Sequence, residues 1–408
     1  MRRVVVTGMG IWSCIGQSLD EVTESLRQGK SGIISDPSRL EYGLKSAFVG
    51  NVPKPDLKPL LARKFRVNLS DDAEYAYMAA REAFHTAGIS DEFLLENEVG
   101  MVFGNDGNFR SLINAADIMR ETHNSLMLGP SALFKSLSSS VTMNLSTVFH
   151  LKGISLSVAA ACASGCHAIG VGSMLIRDGL QDMLLVGGSV EMDKQGAAYA
   201  DALDSLTQRV CEPEKACRPF DRDRDGMVQS GGAAALVLEE YEHAVARGAT
   251  IFAEIAGYGF STNGTEDISQ PDVNSEQAAM QRALDNAGVS ADDVDYVNAH
   301  ATSTVMGDRA EAIALTRLFK GKKAWISSTK SMTGHEYWMA GASEVIYSIL
   351  MMRNGFVAPN INLENVDESA ADLRIARVMV ETPVNVALSN SSGMGGTNAA
   401  IVLSKIGH

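Results

Sequence analysis

The chain has 408 residues, 45% hydrophobic and 21% charged, with a formal net charge of −14. That length can bury a large core, as two domains or one duplicated fold, and the composition is that of a globular enzyme. The acidic balance excludes a general nucleic-acid binder, which needs a basic face, so an acidic partner would have to meet a local basic spot.

Met1-Arg-Arg-Val-Val-Val-Thr-Gly8 is signal-like for only six residues before glycines and polar groups interrupt it, so secretion is not expected. Gly8-Met-Gly10-Ile-Trp-Ser13 follows this strand pattern and resembles a dinucleotide loop, but Ser13 stands where the third glycine belongs. Pro53 to Pro59 reads as an exposed loop. Ala83-Phe-His-Thr-Ala87-Gly88-Ile-Ser90 then resembles Ala283-Leu-Asp-Asn-Ala287-Gly288-Val-Ser290, 200 positions later. Each copy ends an amphipathic helix pattern and precedes a strand-like run, Glu98 to Phe103 and Asp293 to Asn298. Later helix patterns also end alike, at Arg177-Asp-Gly179 and Arg353-Asn-Gly355. The spacing predicts two α/β halves, 1–245 and 246–408, meeting between Glu240 and Thr250. Apolar strands at Met183 to Val186 and Ala233 to Leu238 predict sheets covered by helices on both faces.

Ile154 to Ile176 contains no Asp, Glu, Lys or Arg, yet its many Ser, Gly and Ala residues fit a buried strand and helix better than a membrane span. Cys162 stands at the junction, where exposed amides and the helix dipole favour a thiolate nucleophile. A buried structural cysteine is the alternative. Five cysteines with no Cys-x-x-Cys pair form neither a disulfide framework nor a zinc ribbon, so no metal is expected and a reducing cytoplasm is the simpler compartment. Asp221-Arg-Asp-Arg-Asp225-Gly226 opens like a calcium loop but has Gly232 at the twelfth position instead of glutamate. Three later segments share one design, a strand and then a polar loop. They are Tyr296 to Asp308 with His300, Trp325 to His335 with Lys330, and Ala387 to Asn398 with Gly393-Met394-Gly-Gly-Thr-Asn398. Two histidines at equivalent loop positions together with a nucleophile-type cysteine make a catalytic set.

These motifs resemble the β-ketoacyl-acyl-carrier-protein synthases of the Cys-His-His class. The likeness lies in Ala-Ala-Cys162-Ala-Ser-Gly, His300-Ala-Thr-Ser-Thr, Lys330-Ser-Met-Thr-Gly-His335 and Gly-Met-Gly-Gly-Thr-Asn398, with Arg218-Pro-Phe-Asp221 and Arg224-Asp225-Gly226 between them. The resemblance implies the α/β thiolase fold, with duplicated halves forming a five-layered α/β/α/β/α sandwich. It implies decarboxylative Claisen condensation of an acyl group on Cys162 with malonyl-acyl carrier protein. No cofactor is implied, because both substrates ride on the carrier's phosphopantetheine. Further implied roles are an oxyanion hole from the amides of Cys162 and Met394, and enolate stabilisation by His300 and His335. Lys330 would tune His335 and pair with Glu311, and Thr302 and Thr304 would bind pantetheine. Gly107, Ser392 and Met394 would form the acyl pocket and its gate, and Arg63, Lys64 and Arg66 would dock the acidic carrier. A homodimer is implied, with a heterodimer as the alternative, and neither nucleic acid nor membrane is an expected partner.

The chain departs from the family pattern at Ser392-Gly393-Met394, where the family has phenylalanines, and at Ala301, usually glycine. In Glu336-Tyr337-Trp338-Met339-Ala340 it is expected to set three bulky side chains beside the active site. These departures point to a specialised acyl chain of aryl, polyene or polyketide type. A catalytically silent chain-length-factor partner is disfavoured by retention of Cys162, His300, Lys330 and His335. A coenzyme-A thiolase is disfavoured by His335. Cys166, one helical turn beyond Cys162, is read as packing.

Overall fold

The computed structural model describes residues 2–407. Its main sheet has ten strands: β1 (Val4–Trp12), β2 (Gly100–Gly104), β3 (Ser155–Val158), β4 (Met183–Val190), β5 (Gly232–Glu240), β6 (Ala253–Thr262), β7 (Tyr296–Asn298), β8 (Trp325–Ser327), β9 (Val386–Gly393) and β10 (Thr397–Ser404). Five helices build the layers around it: α1 (Asp71–Thr86), α2 (Ser164–Arg177), α3 (Val273–Ala287), α4 (Val305–Phe319) and α5 (Ala340–Asn354).

The sheet order is β8-β7-β9-β10-β6-β1-β5-β4-β2-β3. Each set of five strands therefore runs third, second, fourth, fifth, first. In each set the first three of that order pair in parallel and the rest antiparallel. The sets join through β1 and β6, at Val5 with Glu254 and Val6 with Ala253. Helix α1 covers β1 and β5 on one outside face, and α3 covers β6 and β10 on the other with α4 beyond it. Helices α2 and α5 lie against each other between the half-sheets and touch strands of both. The result is the expected five-layered sandwich.

The sequence repeat has a packing cause. A Cβ on Gly8 would overlap Ala83 O and sit 2.7 Å from Ala87 Cβ, and one on Gly257 would overlap Ala283 O and sit 2.8 Å from Ala287 Cβ. Gly10 and Gly259 meet Ala79 O and Ala279 O in the same way. Small residues on both sides let each helix rest on its strand's backbone. Gly8-Met-Gly10 is therefore a strand that seats a helix, and no nucleotide loop forms there. Both helices stop before a left-handed glycine, Gly88 (φ 67°) and Gly288 (φ 70°).

Helix α5 lacks an exposed stripe: Ala340 through Met352 are all buried. Its residues and those of α2, including the fully buried Cys166, belong to one core fed by both halves, so neither half closes a core alone. Truncating Ile346 in this layer to Ala would cost about 2–5 kcal/mol. Met339 turns into the same core, fully buried, which corrects the expectation of three bulky groups at the site.

Candidate active site

The site collects at the ends of the parallel strands, where an α/β sheet presents its loops. After β3 the chain makes a tight turn at Ala161–Ala163 before α2 begins at Ser164. Ala161 is held at φ 45°, a conformation costly for a residue with a Cβ. Its N–H donates to Asp106 Oδ2 at 2.8 Å, and its carbonyl accepts from Ser164 Oγ at 2.6 Å. This pinned turn aims Cys162 at His335, whose Nε2 lies 3.0 Å from the sulfur.

Burial works against the expected thiolate. Burial pushes the Cys162 thiol up to about 11, against the opposing pull of the Met394 N–H, Lys330 and the thiol's own amide. At this site desolvation outweighs the helix dipole. His335 is buried, and burial and Lys330 hold its imidazole well below the ordinary histidine range. His300 is lowered by burial first and by Lys330 and His335 next. The raised thiol thus faces two imidazoles that burial has lowered, and their ring centroids are 5.3 Å apart at 87°.

Each histidine is fixed through its backbone. The His335 N–H donates to Val228 O at 2.7 Å, and its carbonyl accepts from Ser230 N at 2.9 Å. The N–H groups of His300 and Ala301 donate to Glu311 Oε1 and Oε2 at 2.7 and 2.6 Å, and Asn390 Nδ2 adds 2.8 Å to Oε1. Glu311 is therefore a carboxylate that holds the His300 loop, and it does not carry the Lys330 ion pair. That partner is Glu344 on α5, with both side chains fully buried. Lys330 Nζ also lies 3.4 Å from His300 Nδ1, so it bears directly on His300 as well as His335. Burial raises both Glu344 and Glu311, and Lys330 pulls each of them back down. A lone glutamate inside the apolar run Ala340 to Met352 was the signal for Glu344, since a buried carboxylate needs a partner.

Thr302 and Thr304 place their Oγ1 atoms 3.0 Å apart. The calcium-like segment and Arg218 just before it serve this loop. Arg218 N donates to Ser303 Oγ at 3.0 Å, Arg224 Nε to Thr304 O at 3.0 Å, and Gly226 N to Ser303 O at 3.0 Å. Asp221 Oδ2 accepts from Glu364 N and Asn365 N, both at 2.8 Å. Among the described residues no group of three or more His, Cys, Asp or Glu is placed to hold a metal.

The hairpin between β9 and β10 lies on the cysteine turn: a Cβ on Gly393 would be 2.8 Å from Ala160 O. Ser392 flanks it half-buried, while Met394 is 55% exposed and not packed into the core. His167, which sequence reasoning did not single out, fixes this hairpin. Its Nε2 is 2.9 Å from Thr397 Oγ1 and its Nδ1 is 2.6 Å from Tyr258 Oη. Its place on α2, five residues past Cys162, was the available hint. Gly107 is buried, and a Cβ there would meet the Phe109 ring at 3.2 Å. Tyr337, at φ 43°, lies against His335 with centroids 5.0 Å apart, and Trp338 follows at 5.8 Å. Glu336 is turned inward, accepting from Ser343 Oγ at 2.5 Å and Tyr347 Oη at 3.0 Å. Arg63 and Lys64 are exposed on a short surface helix, while Arg66 folds back so that Nε donates to Leu61 O at 2.9 Å.

Family models place this architecture. The beta-ketoacyl synthase N-terminal domain matches residues 1–244 and its C-terminal domain matches 252–364. The chain belongs to the β-ketoacyl synthase family. It is 40% identical over 409 residues to 3-oxoacyl-[acyl-carrier-protein] synthase 1 of Escherichia coli K12, covering 100% of both chains. A solved beta-ketoacyl synthase from Burkholderia phymatum superposes with a TM-score of 0.94 at 34% identity, covering 100% of both. A type II polyketide ketosynthase solved with its acyl-carrier protein and bound to a hexaketide gives 0.88 at 27% identity, covering 99% of both.

Proposed function

We propose that this β-ketoacyl synthase condenses an acyl group carried on Cys162 with malonyl-acyl carrier protein, giving 3-oxoacyl-acyl carrier protein and carbon dioxide. The observation that carries the assignment of roles is the convergence of the Cys162 sulfur, His335 Nε2 at 3.0 Å and the His300 ring, with Lys330 behind His300.

In the first step the Cys162 sulfur attacks the carrier thioester while its proton passes to His335 Nε2. The new carbonyl oxyanion takes the N–H groups of Cys162 and Met394. Collapse breaks the carrier's C–S bond, and the proton leaves with the carrier thiol. In the second step malonyl-carrier loses its carboxylate as carbon dioxide, and the electron pair of that C–C bond moves into an enolate. Lys330 donates to His300 Nδ1, which puts the His300 proton on Nε2, facing outward as a donor to the enolate oxygen. His335 supplies the second donor once its remaining proton has exchanged through water from Nδ1 to Nε2. The enolate carbon then attacks the acyl carbonyl, the bond to Cys162 breaks, and the thiolate takes a proton from water. Thr302 and Thr304 hold the pantetheine arm, and Arg63, Lys64 and Arg66 meet the acidic carrier. These steps use no resident cofactor or metal.

The active unit is a dimer of identical chains. Strand β3 is a sheet edge with Ser155 and Leu156 exposed, an arrangement that pairs readily with a second copy. Exposed Leu112, Leu133 and Phe134 add apolar surface to that reading. The compartment is the cytoplasm, in keeping with five free cysteines. Among the described residues no helix is long and apolar enough to cross a membrane.

The test is intact-mass measurement of the enzyme with acyl-carriers, followed by malonyl-carrier and product analysis. One acyl group per chain is expected on Cys162, discharged by malonyl-carrier. A Cys162→Ala variant that still condensed at the wild-type rate would refute the mechanism, and light scattering decides the dimer.

A further inference from the structure

A cavity of about 380 Å³ has Asp36, Arg39, Asn51, Arg110, Asp193 and Lys194 in its lining, and the condensation steps leave it without a role. Arg39 is 2% exposed. Its Nη1 donates to Gln229 Oε1 at 2.9 Å and its Nε to Ser46 O at 3.4 Å, but Nη2 is buried with no partner among the described residues. A desolvated guanidinium donor left unmet is costly, and on a cavity wall it marks a vacant acceptor position.

The residues of its wall connect to the catalytic loops along two routes. Gln229, the partner of Arg39, also donates to Asp193 O at 3.1 Å, and its backbone pairs with that of His335. Tyr337 leans on His335, and its hydroxyl, which feels the charges of Arg39 and Asp193, has no partner among the described residues. Toward the acyl pocket, Gly196 separates Asp193 from Phe109. A Cβ there would be 2.7 Å from Asp193 Oδ1 and 3.1 Å from Phe109 Cδ2. Phe109 in turn has the rings of Trp338 and Tyr199 at 6.1 and 5.1 Å.

The charges select the ligand group. Arg110 is paired with Asp71, and Lys194 Nζ is held by Ser38 O at 3.0 Å and Ser38 Oγ at 2.7 Å. The carboxylates of Asp36 and Asp193 both act on Arg39. An anion entering here would meet those carboxylates. A neutral hydroxyl satisfies both sides, accepting from Arg39 Nη2 and donating to the Asp193 carboxylate. We propose that the cavity is a subsite for a hydroxyl at the distal end of the acyl chain on Cys162, reached past Tyr337 and Phe109. The proposal rests on the condensing reading and narrows its substrate class to acyl chains with a hydroxylated end, the aromatic flank favouring a planar one.

The experiment compares carrier thioesters in matched pairs, with and without a terminal hydroxyl, one pair aliphatic and one phenyl against hydroxyphenyl. Loading of Cys162 is read as kcat/KM with the adduct confirmed by mass. The wild type should favour the hydroxylated member by about tenfold or more. Arg39→Met should bring that ratio close to one, Arg39→Lys should retain part of it, and Asp193→Asn supplies a second variant should Arg39→Met fail to fold. Equal loading of both members by the wild type, or a preference that survives in Arg39→Met and Asp193→Asn, overturns the subsite alone. Failure of the wild type to load any primer overturns the condensing reading and the subsite with it. Calorimetric binding of free phenol without any primer preference would assign the cavity to a separate ligand and also overturn the proposal.

Discussion

The two halves use one strand-to-helix crossing for opposite purposes. From β3 to α2 the connection is five residues, 159–163, while from the equivalent β8 to α5 it is twelve, 328–339. The short one is a strained turn that leaves Cys162 no freedom of aim. The long one folds back over the sulfur and delivers Lys330 and His335, with Tyr337 and Trp338 behind them. A nucleophile needs rigid placement at a helix start, whereas charge stabilisation needs reach. Duplication supplied the frame twice, and loop length divided the labour.

The sharpest way to break this contrast is to titrate the sulfur. With the thiol raised to about 11 by burial, deprotonation is uphill at neutral pH and becomes easier as pH rises. Alkylation of Cys162 by a neutral reagent should climb about tenfold per pH unit, so about a thousandfold between pH 7 and 10. Peptide mass spectrometry follows it separately from the exposed Cys211. A plateau below pH 8 would show that the turn and helix end do supply a thiolate.

Next in size is His300→Ala, which should leave acyl loading of Cys162 within a few-fold while lowering malonyl decarboxylation by about 10²–10³. An equal loss in both steps would show that His300 serves the nucleophile as well as the enolate. Lys330→Ala strands the buried Glu344 and should destabilise the fold by about 3–5 kcal/mol in a denaturant titration. Lys330→Met with Glu344→Leu should recover most of that stability without recovering condensation, separating the pair's structural role from its effect on His300. The smallest effect is expected from His167→Ala, which frees Thr397 and loosens the hairpin that presents the Met394 amide. Loading and condensation should each slow by about tenfold, because both form an oxyanion there.

The frame was legible in the chain because its signals are local. Gly8 and Gly257, with Ala83 and Ala283, betray a strand seating a helix wherever they recur. Cys162, His300 and His335 were legible because each ends a strand in a polar loop. What the sequence left open was pairing across distance. Glu311 and Glu344 lie on different helices, and only the packing of α4 and α5 decides which one meets Lys330. The burial that opposes the expected thiolate was illegible for a related reason, since desolvation depends on everything that closes over the sulfur. Met339 turned inward because the short helical turn at Tyr337–Met339 points successive side chains to different sides.

The central position of β1 has a consequence for how the protein is made. Val4 pairs with Glu240, Trp12 with Ala233 and Val5 with Glu254, so this strand leaves the ribosome with every pairing partner more than 220 residues downstream. At translation speeds of about 5–20 residues per second, the apolar Val4–Trp12 segment waits on the order of ten to fifty seconds without a sheet partner. Nascent chains of this protein are therefore expected to depend on chaperones during synthesis far more than the finished, fully paired sheet does.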